Sequence, residues 1–332
     1  STPKPSSAAS DVYKRQAFGI LFSFCCLFCQ AQLMPLNVES VTLNTEDGVI
    51  KGKLILPSTE KSCPIVLLIA GSGPTDMDGN SPLLHGKNNS LKYLAEGLAE
   101  NGIASLRFDK RGIATSAAAG TEESLLRFED YVNDVKGWLN FLANDKRFTG
   151  ITVIGHSEGA LIGMLACRNQ PKVKAFVSLA GAGRPAYEII EEQVSAQPEM
   201  IRREVSAINE SLKKGEQVEQ VPMYLQSLYR SSVQPYLISW YKYDPQEVIA
   251  TLKIPVLIVQ GKRDIQISTQ DAELLKKAKP AAGLLFIDSM NHVLKDCDTM
   301  DPQKQSVAYS DSSLPVNTTL ISSLSTFINK HK

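Results

Sequence analysis

A serine stands between two glycines in the segment GHSEG, residues 155–159. The β-branched run before it, ITVI, is typical of a buried strand, and the apolar, alanine-containing run after it favours a helix. On such a strand-to-helix turn the serine hydroxyl is exposed, and the amino end of the following helix faces developing negative charge. Ser157 is therefore predicted to be a catalytic nucleophile, the alternative being a serine that only caps the helix.

A neutral serine hydroxyl is a weak nucleophile and needs a base, which one of the four histidines could provide. His331 lies in the terminal tail, and His156 adjoins Ser157, which makes a productive contact awkward. His85 lies in a loop that contains glycine and asparagine, and we expect it to contribute to substrate binding. His292 follows the last predicted strand and agrees with the chain order of serine, acid and histidine that goes with this motif, so it is predicted to be the base.

An acidic third residue would orient the imidazole and stabilise its cationic form. The segment IPVLIVQGKRDIQIS ends a predicted core strand and places Asp264 in the loop just beyond it. Asp288 ends the last predicted strand shortly before His292, and Asp271 opens a helix whose amino end it could simply favour. Asp264 is the predicted acid, with Asp288 and Asp271 as its rivals.

Two backbone amides would have to stabilise the oxyanion of a tetrahedral intermediate. One is expected from Glu158, the residue after the nucleophile, and the other from Ser72 in the loop GSGPTDMDGNS, residues 71–81. Glycines on either side of Ser72 would let the backbone approach closely. The aspartates and asparagine of this loop faintly resemble a calcium loop, but no acidic residue closes the frame of such a loop, so no metal site is predicted.

Hydrophobic patterning indicates the elements that must position these residues. VESVTLNT and VIKGKLIL alternate around an Asp-Gly turn and predict a hairpin. Later apolar runs without alternation predict strands buried on both faces of a parallel sheet. Helical patterns between them predict an α/β fold with a mostly parallel sheet and helices on both faces. The strand segments are CPIVLLIAG, GIASLRF, ITVIG, VKAFVSLAG, IPVLIVQG and GLLFID, and the helical segments are residues 90–101, 128–144, 157–167, 269–278 and about 316–329.

One segment, residues 184–250, interrupts the alternation of strands and helices. It contains helical patterns but no clear strand, and it is too long for an ordinary connection between two core strands. We predict an inserted helical cap over the carboxyl edge of the sheet, between core regions at 32–183 and 251–332. Aromatic residues on such helices are usually packing residues, but Tyr236 and Trp240 are expected to line the substrate pocket.

Charge and cysteine content limit the classes of partner. The chain of 332 residues has 35 basic and 35 acidic residues and no long basic run, so neither nucleic acid nor an anionic membrane surface is an expected partner. Beyond the amino-terminal segment the cysteines are Cys63, Cys167 and Cys297, without close spacing. They predict neither a disulfide framework nor a zinc site.

The amino-terminal residues are predicted not to belong to the folded domain. Residues 1–16 are polar and are expected to be a library-derived leader. Lys14 and Arg15 precede a short apolar run and the small residue Ala31 follows it, so residues 17–31 are predicted to be a signal peptide, with a mature start near Gln32. The product would then be secreted or periplasmic, without stable membrane insertion. The alternative is a membrane anchor, although the run is shorter than the roughly 20 apolar residues of a spanning helix.

Several segments occur in the order in which a known superfamily has them: GSGPTDMDGNS, LRFDKRGIATS, GHSEGALIG, SWYKYDP, IPVLIVQGKRDIQIS and NHVLK. Over residues 38–330 the chain resembles the α/β hydrolases, specifically the bacterial esterases of the serine aminopeptidase-like branch. The resemblance implies the α/β-hydrolase fold, hydrolysis of carboxylic esters and no cofactor. Arg107, Asp109 and Arg111 are expected to brace the loop beside the oxyanion site, the alternative being a set of surface ion pairs.

The predicted reaction is hydrolysis of a small-molecule carboxylic ester by a serine hydrolase with a Ser-His-Asp triad. Ser157 would attack the acyl carbon, and water activated by His292 would release the acid from the acyl-enzyme. A peptidase with the same triad remains open and would have to bind a free amine, for which the cap carboxylates Glu191, Glu192 and Glu199 are candidates. A thioesterase or acyltransferase also remains open, as does the oligomeric state.

Overall fold

Eight strands form one sheet in this computed structural model: β1 (Asn37–Thr45), β2 (Gly48–Leu56), β3 (Cys63–Ile69), β4 (Ala104–Phe108), β5 (Phe148–His156), β6 (Val173–Leu179), β7 (Val256–Gly261) and β8 (Gly283–Ile287). Their order across the sheet is β1-β2-β4-β3-β5-β6-β7-β8. The pairs β1–β2 and β2–β4 are antiparallel, and all other neighbouring pairs are parallel. The structure describes residues 36–58, 61–120 and 122–332, so the predicted leader at 1–16 and signal peptide at 17–31 lie outside the described residues.

The strands form where the hydrophobic pattern predicts them. β1 and β2 pair as a hairpin that turns at Gly48, whose φ of 140° favours glycine, and a Cβ there would lie 2.9 Å from the Cα of Ala119. Every residue of β3 and of β4 is buried, as expected for strands covered on both faces. Because β3, β5, β6, β7 and β8 are parallel, the segments that follow their carboxyl ends meet at one edge of the sheet, and these segments carry the predicted site residues.

Helices cover both faces of the sheet. Successive residues of β3 point to opposite sides, so Leu67 packs in one core cluster and Leu68 in the other. The first cluster includes residues of α2 and α3, and the second includes residues of α1 and α11, so the predicted fold class is confirmed. The helices outside the segment 184–250 are α1 (Ser90–Glu100), α2 (Phe128–Ala143), α3 (Glu158–Ala166), α9 (Thr269–Ala278), α10 (Pro302–Ser310) and α11 (Thr318–Lys330).

Between β6 and β7 the described chain is helical. Its α-helices are α4 (Ala186–Gln193), α5 (Glu199–Lys213), α6 (Gln226–Tyr229), α7 (Gln234–Trp240) and α8 (Pro245–Ala250). Helix α7 packs against α2, whereas α8 packs against α3 and α9. Since β6 and β7 are parallel neighbours, the chain must run from the carboxyl edge of the sheet back to its amino edge before β7 begins. Helix α8 is the last helix of this connection. The helices α4 to α7 are called the cap helices, and the predicted division into core and cap at 184–250 stays a prediction.

Helix α10 was not expected from the sequence. It begins after Asp301, whose side chain accepts a hydrogen bond from the Gln303 amide, and only Gln305 and Ala308 of its residues are buried. A helix with so little apolar surface has no hydrophobic pattern that would predict it. Within the described ranges, no helix combines the length and the apolar character that a membrane crossing requires.

Candidate active site

Ser157 lies on a sharp turn between β5 and α3. Its φ of 56° and ψ of −123° fall in a region that residues with a side chain rarely adopt. Both flanking glycines are needed for the close approach of the backbone at this turn. A Cβ at Gly155 would lie 2.1 Å from the carbonyl oxygen of Gly159, and a Cβ at Gly159 would lie 2.5 Å from that of Ile69. The turn thus explains why the serine stands between two glycines.

Asp264 and His292 are hydrogen-bonded at the same edge of the sheet. The His292 Nδ1 lies 2.8 Å from the Asp264 Oδ2, and both side chains are almost fully buried. Asp264 also accepts hydrogen bonds from Gln260 Nε2 (3.0 Å) and from the amides of Gln266 (2.8 Å) and Ile267 (3.0 Å). Burial alone would raise the pKa of the Asp264 carboxyl, but the His292 ring and these hydrogen bonds outweigh it and hold that pKa below its usual value.

The two rival aspartates have other partners. Asp288 pairs with Lys262 (2.8 Å), and its side chain is 85% exposed. Asp271 is buried, but its carboxylate accepts hydrogen bonds from Arg184 and from the amide of Gly183. The structure therefore brings Asp264, and neither rival, into contact with His292.

His156 connects the serine turn to the loop of His292. Its Nε2 lies 2.8 Å from the His292 carbonyl oxygen, and the two ring centroids are 4.8 Å apart. Burial, with a smaller contribution from His292, lowers the pKa of His156 to about 3, so its ring is neutral and can donate from Nε2 to the carbonyl. This contact holds the backbone of His292 beside the residue that precedes Ser157.

The two predicted oxyanion donors adjoin the serine. Ser72 and Glu158 line the same cavity as Ser157. Gly71 lies so close that a Cβ on it would be 3.1 Å from the Ser157 Cβ. Glu158 is the first residue of α3, where backbone amides have no partner within the helix. The arrangement places two backbone segments, 71–72 and 158, next to the serine.

Buried charges hold the loop that contains Ser72. The Arg107 Nε donates to Asp78 (2.7 Å), and Asp109 accepts from the amide of Met77 (2.6 Å). Arg111 reaches elsewhere: it pairs bidentately with Asp134 of α2 and also with Asp47 in the hairpin turn. Of the three charged residues expected to brace this loop, Arg107 and Asp109 therefore contact it directly and Arg111 does not.

Lys110 was missed by the sequence reasoning. It is 2% exposed, its Nζ donates to the Gly71 carbonyl (2.6 Å) and to the Glu158 Oε2 (3.2 Å), and it lies 5.0 Å from the centroid of the Tyr131 ring. The hydroxyl of Tyr236 in α7 donates to the other Glu158 oxygen (2.7 Å). One feature of the sequence could have indicated its role: the lysine lies between Asp109 and Arg111, directly after a strand predicted to be buried. A charge at such a position needs partners that compensate it.

A cavity of about 650 Å³ opens above Ser157 between the core and the cap. Tyr236 and Trp240 both line it, and Trp240 stacks on Phe128 with the ring centroids 5.7 Å apart. Of the described residues that line it, the acidic ones are Glu123 and Glu158, and each is paired with a cation. Its remaining walls are mostly apolar, so the cavity suits an uncharged, partly apolar group.

His85 is not among the residues that line this cavity, so its contribution to substrate binding stays a prediction. The residue is exposed on its loop. The amide of Lys87 donates to the carbonyl of Ser310 at the end of α10, and Gly86 lies tightly against the same residue. These contacts hold Gly86 and Lys87 against the end of α10.

A metal site finds no support in the described part of the chain. No group of three or more histidine, cysteine, aspartate or glutamate side chains within those ranges is arranged to hold an ion. Asp76, in the loop that faintly resembles a calcium loop, instead accepts hydrogen bonds from the amides of Asp78 and Asn80.

Comparison with known proteins identifies related sequences and folds. A family model described as "Serine aminopeptidase, S33" matches residues 82–296, well over half of the chain, and the matched range contains Ser157, Asp264 and His292. Esterase EstD of Thermotoga maritima is 27% identical over 277 residues, which cover 79% of this chain and 62% of that protein. The chain therefore spans less than two thirds of the length of this relative.

Solved structures share the fold. Est1E from Butyrivibrio proteoclasticus superimposes with a TM-score of 0.57 at 18% identity, over 88% of this chain and 98% of that chain. The Pyrococcus furiosus esterase Pf2001 superimposes with a TM-score of 0.53 at 15% identity, over 89% of this chain and 93% of that chain. At such low identity the likeness establishes the α/β-hydrolase fold and nothing more specific.

Proposed function

Because the chain belongs to the serine aminopeptidase S33 family of α/β hydrolases, we propose that it hydrolyses carboxylic esters through an acyl-enzyme formed on Ser157. One observation carries the proposal: the hydrogen-bonded pair of Asp264 and His292 is linked through His156 to a strained serine turn that opens into a mostly apolar cavity. The name of the relative from Thermotoga maritima, an esterase, supports the same reaction.

In the proposed mechanism, the Ser157 Oγ attacks the acyl carbon while the His292 Nε2 takes its proton. The carbonyl oxygen of the ester becomes an oxyanion that accepts hydrogen bonds from the Ser72 and Glu158 amides. The tetrahedral intermediate collapses, and His292 returns the proton to the departing alcohol. Water then gives a proton to His292 and attacks the acyl-enzyme, and a second collapse releases the acid and restores Ser157. Throughout, Asp264 orients the imidazole and stabilises its cation.

An ester fits the site better than a peptide with a free amine. An aminopeptidase would need an unpaired carboxylate for the amine, and both acidic residues of the cavity lining are paired with cations. The cap carboxylates considered for this role have partners as well: Glu191 contacts Asn209, Glu192 pairs with Arg184 and Glu199 pairs with Arg203.

A substrate panel tests the proposal. p-Nitrophenyl esters of two to twelve carbons would be compared with aminoacyl p-nitroanilides and with acyl thioesters of matched chain length. We expect the highest kcat/KM for one of the esters, and only a small residual rate above water for Ser157→Ala. A higher kcat/KM for an anilide or thioester than for every ester, or the absence of all three activities, would refute ester hydrolysis as the function.

Export is proposed on the residues before the folded domain. Lys14 and Arg15 precede a short apolar run that ends before Ala31, which supports a cleaved signal peptide and a secreted or periplasmic product. Mass spectrometry of the protein purified from its own host should give an amino terminus close to Gln32. An uncleaved chain in the cytosol would contradict export.

A further inference from the structure

A buried lysine connects the two backbone segments that carry the oxyanion donors. The ammonium group of Lys110 donates to the carbonyl of Gly71 (2.6 Å) and to the carboxylate of Glu158 (3.2 Å). Gly71 directly precedes Ser72, and Glu158 directly follows Ser157. One side chain is therefore bonded on both sides of the nucleophile.

Peptide planarity carries the effect of Lys110 to the amide of Ser72. The Gly71 carbonyl and the Ser72 N–H belong to one planar trans unit, in which they point in opposite directions. Anchoring the carbonyl on Lys110 therefore fixes the direction of the N–H. Since a hydrogen bond weakens steeply as it departs from linearity, a rotation of this unit would weaken its interaction with an oxyanion.

The same ion pair restrains the second donor. Glu158 begins α3, and its carboxylate is held at both oxygens, by Lys110 on one and by the Tyr236 hydroxyl on the other (2.7 Å). A side chain fixed at both oxygens limits movement of the first turn of the helix, which includes the Glu158 amide. Tyr236 lies in the cap helix α7, so the cap contacts the oxyanion side of the site through this hydrogen bond.

Fold stability is a weak reason for such a pair. The two side chains are 2% and 3% exposed, and taking two charges out of water costs several kcal/mol per ion, so an apolar pair of similar volume is often as stable. Building on the proposed ester hydrolysis, we infer that Lys110 and Glu158 form a positioning pair that orients the Ser72 and Glu158 amides towards the oxyanion. Neither charged group contacts the reacting atoms in this role.

The first experiment compares Lys110→Met with Lys279→Met in the full chain, on one p-nitrophenyl ester. Lys279 is the matched control, because its Nζ also donates to a backbone carbonyl, that of Leu252 (2.6 Å), but it does not line the cavity. We expect Lys110→Met to lower kcat by about 10- to 100-fold, less than the roughly 10²- to 10³-fold loss for deleting an oxyanion donor. KM should change by less than about threefold, and Lys279→Met should match the wild type.

Two ketones distinguish positioning from general damage to the cavity. Ser157 adds through Oγ to the carbonyl carbon of an alkyl trifluoromethyl ketone, its proton passes to His292, and the carbonyl oxygen becomes an oxyanion. The methyl ketone of the same chain length is a much poorer electrophile and reports binding without addition. Lys110→Met should weaken binding of the trifluoromethyl ketone by about the factor lost in kcat and leave the methyl ketone unaffected. Equal losses for both ketones would overturn the inference.

Glu158→Gln distinguishes positioning from a direct effect of the lysine charge. If the ammonium charge itself stabilised the oxyanion, removing its counterion would raise kcat. Positioning predicts the opposite, a loss in kcat of about tenfold or more. The neutral side-chain amide of the glutamine cannot form an ion pair with Lys110 and holds it less firmly. An unchanged or raised kcat in folded Glu158→Gln would overturn the inference.

A double variant keeps the test valid if Lys110→Met does not fold. Lys110→Met/Glu158→Gln removes both charges together, which is often close to neutral for stability. It should show the same loss of kcat, and a normal kcat in the folded double variant would overturn the inference. If the wild type itself hydrolyses no ester, the proposed function fails and the inference fails with it. If the wild type is active and the Lys110 variants match it, the inference alone fails.

Discussion

The two sides of Ser157 are built differently. On the acid side, Asp264 accepts hydrogen bonds from a side chain and two amides that all lie within four residues of it. On the oxyanion side, Lys110, Glu158 and Tyr236 come from three elements that are far apart in the sequence. The Asp264 carboxylate is therefore held by β7 and the loop that follows it, whereas the oxyanion side includes a hydrogen bond from the cap helix α7.

The two sides of Ser157 differ in whether the cap contacts the side chains that form them. The described contacts of the Asp264 carboxylate are all with residues outside the segment 184–250. Tyr236, by contrast, donates a hydrogen bond to Glu158, the residue directly after Ser157. Substitutions in the cap should therefore act on substrate choice and on the oxyanion side, and leave the orientation of His292 intact.

Ser157→Ala should have the largest effect, because it removes the group that both sides serve. We expect kcat for the best ester to fall by about 10⁶-fold, with a residual rate above water from binding and oxyanion contacts. Steady-state kinetics with a circular dichroism spectrum of the variant would check this. A folded variant with a rate near that of the wild type would show that Ser157 is not the nucleophile. The comparison between the two sides of Ser157 would then lose its basis.

Asp264→Asn should have the next largest effect and tests the acid side alone. We expect a loss of about 10⁴-fold in kcat, because the amide favours the wrong tautomer of His292. Asp288→Asn is the matched control, since that carboxylate is exposed and its ion pair with Lys262 is worth little, and it should stay within about twofold of the wild type. The reverse ranking, with both proteins folded, would assign the acid to Asp288.

Tyr236→Phe tests the contribution of the cap to the oxyanion side. We expect kcat to fall by about tenfold with little change in KM, at the lower end of what a hydrogen bond to a charged group is worth. Tyr243→Phe is the control, because its hydroxyl also donates to a core glutamate, Glu129 (2.8 Å), but the ring does not line the cavity. If the two variants behave alike, the contrast between the two sides loses its support.

Trp240→Ala should have the smallest effect on rate and should change selectivity instead. Removing the ring that stacks on Phe128 enlarges the cavity, so the ratio of kcat/KM for long and short acyl chains should shift by about threefold to tenfold. The exposed Tyr224, substituted by alanine, should leave the ratio unchanged. An unaltered ratio in folded Trp240→Ala would mean that this wall of the cavity does not contact the acyl chain.

Residues whose neighbours are close in sequence were predictable. The run IPVLIVQG predicts β7, because a strand covered on both faces is mostly apolar, and Asp264 lies in the loop directly after it. The serine turn was equally predictable, since its glycines and the change from strand to helix are contiguous. In both cases the residues that meet the physical requirement, an apolar strand or small residues at a tight turn, are contiguous in the sequence.

Residues whose role depends on distant partners were not predictable. A lysine normally indicates an exposed surface, and Lys110 is buried only because Glu158, the Gly71 carbonyl and the Tyr131 ring compensate its charge. His85 was assigned to the site from its loop composition, yet the loop is held by Ser310 near the other end of the chain. Neither fact can be read from a single segment.

The backbone of Ser157 has a consequence for the evolution of thermostable relatives. A residue with a φ of 56° and a ψ of −123° is held by its surroundings in a conformation that raises the free energy of the folded state by roughly 1–3 kcal/mol. Glycine at this position would relieve most of that strain and would also delete the hydroxyl that we propose as the nucleophile. Selection for heat resistance alone would therefore favour glycine at position 157, at the expense of the proposed turnover.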